Sequence, residues 1–537
     1  MTKLVTKSQV PLSLFSGWER LLFRMRNNGV SNNLQPTIRI GRAKIAFASL
    51  ALATSFAAAG CSMGNVYAEQ PLDTNLPVPA AAAPTSGNSF TLAPAGDAAT
   101  SSLDNTPDDA QLDLLDPAVY AHLSKLVGTQ IDFANDPSIT EIDLSAQTGE
   151  LLITEPGTYR IQGNPEANPE NENHIIINAA PDADVKLILF NATIISGYNT
   201  ASAVYVRQAG TVSLFSPAGS HNEIKGNDDQ ATIRSNADLV IYGPGELTVW
   251  GPRSHAGQIY SSQGVLIDQT TLHVTGTMSP AIAAGQYVVQ QGGSIDVLTG
   301  VDGITAIEPA GKVAILGGET LIHAGGTGIV ANTSVLIDGG DYYHLPSFPE
   351  GTTTSSLDIQ AGTGIEAPLV VLGEAGEVVS IQADRAGILA SGTANVPNAL
   401  VIAGDDADLV VIAGGVGLHS GGVIRQTAGN AVVQAHSSPL NAESGLQLDG
   451  GTMLATGGTV PSEFNRRTHQ RWLVTPLDPQ LEPGSGLTIT DADGAEVTRL
   501  DSSEKLAKWL LFSSPDLASN ATYWVNFNNQ QFAVPTH

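Results

Sequence analysis

Cysteine is almost missing from this chain: one residue, Cys61, among 537. No disulfide can form within it, so the fold must stand on packing alone. Aromatic residues make up 5% and charged residues 14%, whereas a globular α/β enzyme of this length carries more charge and long helical periodicities. Cations are scarcest. The chain has 24 Lys and Arg against 52 Asp and Glu, a formal net charge of −28. That balance excludes nucleic acid as a partner, because phosphates need Lys and Arg. It also opposes direct pairing with acidic sugars unless a cation bridges the two. Long apolar runs are few. The clearest, Ile45–Ala59, follows Arg39, Arg42 and Lys44 and ends in small residues, which reads as an export signal and is short for a membrane span.

What the chain has is glycine, 56 residues, and one short pattern repeated many times. In Asp228–Trp250 (DDQATIRSNADLVIYGPGELTVW) three apolar beats recur: Ile233 with Ser235, Leu239 with Ile241, and Leu247 with Val249. Similar cycles follow, and aligning their first beats gives Ile233, Ile259, Ile282, Ile304, Ile329, Ile365, Ile388 and Leu418. Most steps are about 22 to 26 residues, the length of one solenoid repeat. Two residues after each anchor stands Ser235, Ser261, Ala284, Ala306, Ala331, Ala367, Ala390 or Ser420. A large apolar residue followed at i+2 by a small one is strand alternation locked in register. Three short strands per cycle, with no room for a helix, describe one turn of a parallel β-helix. The fold expected is all-β: a right-handed parallel β-helix of about ten coils, with a helical N-terminal cap and a small β-rich C-terminal segment.

The chain divides accordingly. Residues 1–61 read as a signal peptide, in which Met25 is an alternative start. Ala58-Ala59-Gly60-Cys61 resembles a bacterial lipobox, which would place a lipid anchor on Cys61; cleavage after Val66-Tyr67-Ala68 is the competing reading. Residues 62–115, rich in Ala, Pro, Thr and Ser, read as a flexible stalk. Residues 116–143 form the cap, with helical spacing at Val119, Leu123 and Val127 and Pro117 in the first turn. The β-helix runs over 144–459 and the C-terminal segment over 460–537, where Trp472, Trp509 and Trp524 are expected in the core. Ser62 is not the Asp that retains lipoproteins at the inner membrane, so the outer membrane or cell surface is the expected location; periplasmic or soluble secretion is the alternative.

PGTYRIQG (Pro156–Gly163), HIIINAAPDADVKLILFNATI (His174–Ile194), AVYVRQAGTVSLF (Ala203–Phe215) and Asp228–Trp250 stand in an order that resembles a family of secreted bacterial carbohydrate-binding β-helix proteins. Its clostridial prototype is associated with cellulose and polygalacturonate binding. GLTITDADGAEV (Gly486–Val497) and LFSSPDLASNATYWVNF (Leu511–Phe527) are similar to that family's terminal β-rich segment. The resemblance implies a pectate-lyase-like fold, a polysaccharide partner and calcium held by repeated Asp-Gly-Ile steps. Here only Asp302-Gly303-Ile304 has that form, and a calcium ion needs six to eight oxygens.

Candidate metal ligands are therefore Asp228, Asp229 and Asp302. Asp405, Asp406 and Asp408 read as turn residues, and Asp491-Ala492-Asp493-Gly494 reads as a hairpin turn rather than a calcium loop. Candidate sugar-stacking residues are Tyr342, Tyr343, His344 and Phe348, in an insertion that lengthens one cycle by about a dozen residues, with Trp250 and Tyr260 near corners of consecutive coils. Arg234, Arg253, Arg385 and Arg425 are scattered singly, and His255, His273 and His323 fall at different phases, so no acid–base constellation is legible. The function expected is non-catalytic binding of an extracellular or cell-wall polysaccharide. The alternatives are a lyase or hydrolase on the same fold, and a structural adhesin or spacer.

Overall fold

The computed structural model describes residues 138–537, apart from 147–148, 164–172, 197–201, 227–229, 252–256, 277, 301, 339–354, 374–377, 394–398 and 405–406. The expected leader, lipidated Cys61, stalk and helix Asp116–Val127 lie outside the described residues.

Each coil is built from three walls. In the coil that begins at Ile233 they are Ile233–Ser235, Asp238–Tyr242 and Glu246–Trp250. Each strand pairs in parallel with its counterpart in the next coil: Ile259–Ser261, Gly264–Asp268 and Thr271–Gly276. The inward column of the first wall runs Ile233, Ile259, Ile282, Ile307, Ile329, Ile365, Ile388, Leu418 and Leu440. It continues backwards through Val204 and Ile175. All of these are at most 2% exposed, and they belong to one continuous apolar core.

One coil departs from the expected register. Ile282 pairs with Ile307 and Ala284 with Pro309, so Ile304 and Ala306 do not hold the anchor positions. Asp302-Gly303-Ile304 is a preceding turn in which Gly303 takes φ +83°, and Ile304 is only half-buried. An Ile three residues from another Ile gives the same apolar signal, and only the hydrogen-bonded ladder separates them. The sequence register also placed the start of the β-helix at Leu144, but Thr140–Asp143 already pairs with Gly157–Gly163. That strand buries a single apolar residue, Ile142, too little for a period to show.

The small residues at i+2 do more than fill space. Ser235 Oγ donates to Ala237 O at 2.7 Å and accepts from Ala237 N at 3.1 Å. Ser261 and Ser420 close their own corners in the same way, each accepting an N–H from two residues on. A buried hydroxyl thereby satisfies backbone groups where the chain leaves one wall for the next.

The terminal segment closes the last coil. Ala507–Ser513 adds antiparallel to Thr452–Gly457, the last strand of the third wall, and also pairs with Trp472–Leu481. This covers an edge that would otherwise offer unpaired backbone groups. Beyond it, Leu487–Thr490, Glu496–Leu500, Thr522–Phe527 and Gln530–Pro535 form a four-stranded antiparallel sheet. Asp491–Gly494 makes the expected hairpin turn, with Asp491 Oδ1 accepting from Asp493 N and Ala495 N. The core here is Leu473, Ile489, Phe512, Tyr523 and Val525. Trp472, Trp509 and Trp524, expected inside it, are half-buried at its margin; Trp472 stacks on Phe464 with 4.0 Å between centroids. Narrow sheet packing takes Leu and Val more readily than an indole.

Candidate functional site

The third wall presents its outward side chains in vertical rows. Leu247 and Val249 point into the bore, so Glu246, Thr248 and Trp250 point out, and the parallel register repeats that choice coil by coil. One row runs without a break through Lys225, Trp250, Thr275, Leu298, His323, Gln360 and Gln382. Successive members lie about 4.8 Å apart.

In the lower coils, polar side chains are tied together across strands. Trp250, 37% exposed, donates its indole N–H to Glu223 Oε1 at 2.8 Å. Lys225 Nζ lies 3.0 Å from Glu223 Oε2 and 5.7 Å from the Trp250 ring centroid. Beside them, His221 Nδ1 is 2.7 Å from Glu246 Oε2, and His273 stands between Glu246 (3.9 Å) and Asp296 (3.4 Å). Histidine and carboxylate thus alternate over four coils, directly opposite in the pairs His221–Glu246 and His273–Asp296 and diagonally from Glu246 to His273. Exposed pairs of this kind add little stability; their effect is to orient donors and acceptors toward solvent.

Higher up, Leu298, His323, Gln360, Gln382 and Asp384 line a shallow groove of about 380 Å³ along the corner into the first wall. Leu298 is 48% exposed. Burial raises the Asp358 carboxyl above its ordinary pKa, and the nearby His323 opposes that shift. The polar stretch ends where the terminal segment packs on the wall: Val432 and Leu454 join its core, and Glu504 N donates to Gln434 Oε1 at 2.6 Å.

Of the residues the sequence singled out, Trp250 stands on this face. Tyr260 does not: it lies half-buried on the first wall, in a row between Arg234 and Ala283. The two residues are ten apart in sequence but on different walls, so they form no common platform. Tyr342, Tyr343, His344, Phe348, Asp228 and Asp229 lie outside the described residues. Asp302 is exposed in its turn, and among the described residues no three His, Cys, Asp or Glu side chains gather to hold a metal.

His273 and His323, expected as isolated residues, belong to this wall, one within the acid–histidine series and one in the groove. Arg425, also expected alone, has its Nε 3.8 Å from Asp449 Oδ2 of the next coil, and Asp449 also meets His469 Nδ1 at 2.9 Å. Sequence reasoning missed Glu223, Lys225, Glu246, Gln360 and Gln382. Their signal was the outward phase of the third beat, which becomes visible once that beat is tabulated coil against coil.

The fold defines the class, a parallel β-helix with a long polar lateral wall. Residues 147–408, just under half of the chain, are similar to a family described as carbohydrate-binding domain-containing protein. No curated protein and no solved structure matches the chain.

Proposed function

We propose that the protein binds an extracellular polysaccharide along the outer face of the third wall, without cleaving it. One observation carries this reading: the span similar to a carbohydrate-binding family contains the wall from Glu223 to Asp384, where polar side chains and Trp250 stand at a constant rise. An extended glycan presents hydroxyls at regular intervals, and amides, imidazoles and carboxylates at about 4.8 Å steps meet them without the chain bending. Trp250 supplies a ring for stacking on a pyranose face. The ligand is a neutral glucan, given the net charge of −28; an acidic chain would need calcium to bridge it to the wall. Binding rather than cleavage is the reading because Glu223, Glu246 and Asp296 are each tied to a neighbouring donor. A general acid–base pair needs carboxyls free to exchange protons with the ligand.

The protein is exported and held at the outer membrane or cell surface by a lipid on Cys61; the lipobox-like run before that cysteine supports this. Palmitate labelling of wild type and Cys61→Ala tests the anchor: label on the first and none on the second is expected. Binding to insoluble cellulose and to polygalacturonate, with and without a chelator, tests the ligand. New reducing ends or unsaturated uronates would overturn the non-catalytic reading, and absence of binding to any glycan would leave a structural spacer.

A further inference from the structure

The first wall has an outer face of a different kind. Ile233 and Ser235 point into the bore, so Arg234 points out, and the register sets it between Tyr205 on the coil before and Tyr260 on the coil after. Arg207 follows Tyr205 by two residues in the same strand and leaves it on the same side. Both guanidiniums lie near one ring. Arg234 Cζ is 5.4 Å from the Tyr205 centroid and Arg207 Cζ is 5.6 Å from it, within the range of cation–π attraction. Arg207 is exposed, and Tyr205, Arg234 and Tyr260 are half-buried.

These two cations lack acidic partners. Asp and Glu outnumber Lys and Arg by 52 to 24, and Arg160, Lys225, Arg425 and Arg499 each pair with a carboxylate. Among the described residues Arg207 and Arg234 pair with none. Arg234 Nη1 donates to Gln230 Oε1 at 3.0 Å, while its Nε is covered and has no acceptor. The neighbours leave the charge uncancelled. After Arg234 the row passes through Tyr260 and Ala283 before its first carboxylate, Glu308, about 10 Å beyond Tyr260. Arg207 is followed on the next two coils by Asn236 and Ser262, both uncharged.

We propose that Tyr205, Arg207, Arg234 and Tyr260 form a second binding site, for an oxyanion carried on a saccharide ring: the carboxylate or phosphate of an acidic glycan. A guanidinium presents its donors in a planar fork that matches either group. A phenol ring meets the apolar face of the sugar that bears it. On the third wall an acidic chain needs bridging calcium; on this wall the protein's own guanidiniums take that place, so binding here survives a chelator. The two faces share no residue, and the site stands whether or not the third wall binds a neutral chain.

Affinity electrophoresis tests the site, through gels containing hydroxyethyl cellulose, carboxymethyl cellulose or soluble cellulose phosphate, all with a chelator. The three polymers share one backbone and differ in charge. The wild type is expected to be retarded more by an anionic polymer than by the neutral one, and the more retarding of the two identifies the oxyanion. Arg207→Gln changes an exposed side chain, and Arg234→Lys keeps the charge but loses the fork. Each should weaken binding to that anionic polymer about tenfold and leave hydroxyethyl cellulose as it was. Trp250→Ala should leave the difference between anionic and neutral polymers intact, which separates this site from the third wall. Equal retardation of the wild type by all three polymers, an undiminished anionic excess in both arginine variants, or loss of that excess in Trp250→Ala would overturn the proposal.

Discussion

Trp250 donates its indole N–H to Glu223 on the preceding coil at 2.8 Å, and this pairing holds the largest exposed ring of the third wall in one orientation. An ordered ring loses less freedom when it meets a sugar, so the carboxylate acts on binding through the tryptophan.

Removal of the ring should cost more than removal of its support. Trp250→Ala is expected to weaken polysaccharide binding about tenfold, in line with about 1 kcal/mol or slightly more for an aromatic contact. Glu223→Ala should weaken it about threefold. Neither should shift the thermal midpoint much, because both side chains reach solvent. Titration of soluble oligosaccharide by calorimetry measures the loss, and unchanged affinity in Trp250→Ala would remove the ring from the site.

Ile307, and not Ile304, belongs to the inward column, at 2% exposure in the ladder from Ile282 to Ile329. Ile307→Ala should destabilise by about 2–5 kcal/mol, the range for a buried isoleucine truncated in a core. Ile304→Ala should cost about 1 kcal/mol, since that side chain is only half-buried. Urea midpoints of the two variants decide it; equal losses would mean that the register through this coil is wrong.

The reason one slip of three residues passed unnoticed is physical. Alternation of apolar and polar residues reports which side chains enter the bore, and eight of the nine anchors from Ile233 to Leu440 follow from that or extend it. Where Ile304 and Ile307 compete, only inter-coil hydrogen bonds decide. The polar wall was harder to see for a related reason. Glu223, Trp250 and Lys225 become neighbours only through a register that spans a cycle of 25 to 27 residues, and no local pattern marks an outward residue as part of a row. Tyr260 and Trp250 show the converse: nearness in sequence placed them together, and the corner between them separates them.

Asp268 gives the second wall a pH dependence. It is 1% exposed, its Oδ1 has no hydrogen-bond partner, and on the next coil Gln291 Oε1 is likewise unpartnered. Burial raises its carboxyl to about 7, with the Gln269 N–H opposing. A folded pKa above the unfolded one favours the protonated native form. The contribution is therefore complete below about pH 4, falls as pH rises toward 7, and is gone above that. Between pH 5 and pH 8 the protein should lose on the order of 2–3 kcal/mol from this group. Thermal midpoints at both pH values should differ for the wild type more than for Asp268→Asn; the same pH slope in both would refute the assignment.

Gly264 has no room for a side chain. A Cβ there would lie 2.0 Å from the Tyr287 ring, which crosses it to donate its hydroxyl to Asp238 Oδ1 at 2.9 Å. Gly264→Ala should displace the ring and destabilise by about 1–3 kcal/mol through overpacking. Tyr287→Phe, which keeps the ring and loses only the hydrogen bond, should cost about 1 kcal/mol. Chemical unfolding compares them, and an alanine variant as stable as wild type would contradict the crossing.

Binding to insoluble cellulose and polygalacturonate by purified wild type, a third-wall variant (Trp250→Ala, His323→Ala, Gln360→Ala, Gln382→Ala) and a second-wall control (Arg425→Ala) tests the central claim most directly. The account predicts that wild type and control bind one of the polymers alike while the third-wall variant, folded by circular dichroism, loses at least tenfold in affinity. Full binding by the third-wall variant would contradict it.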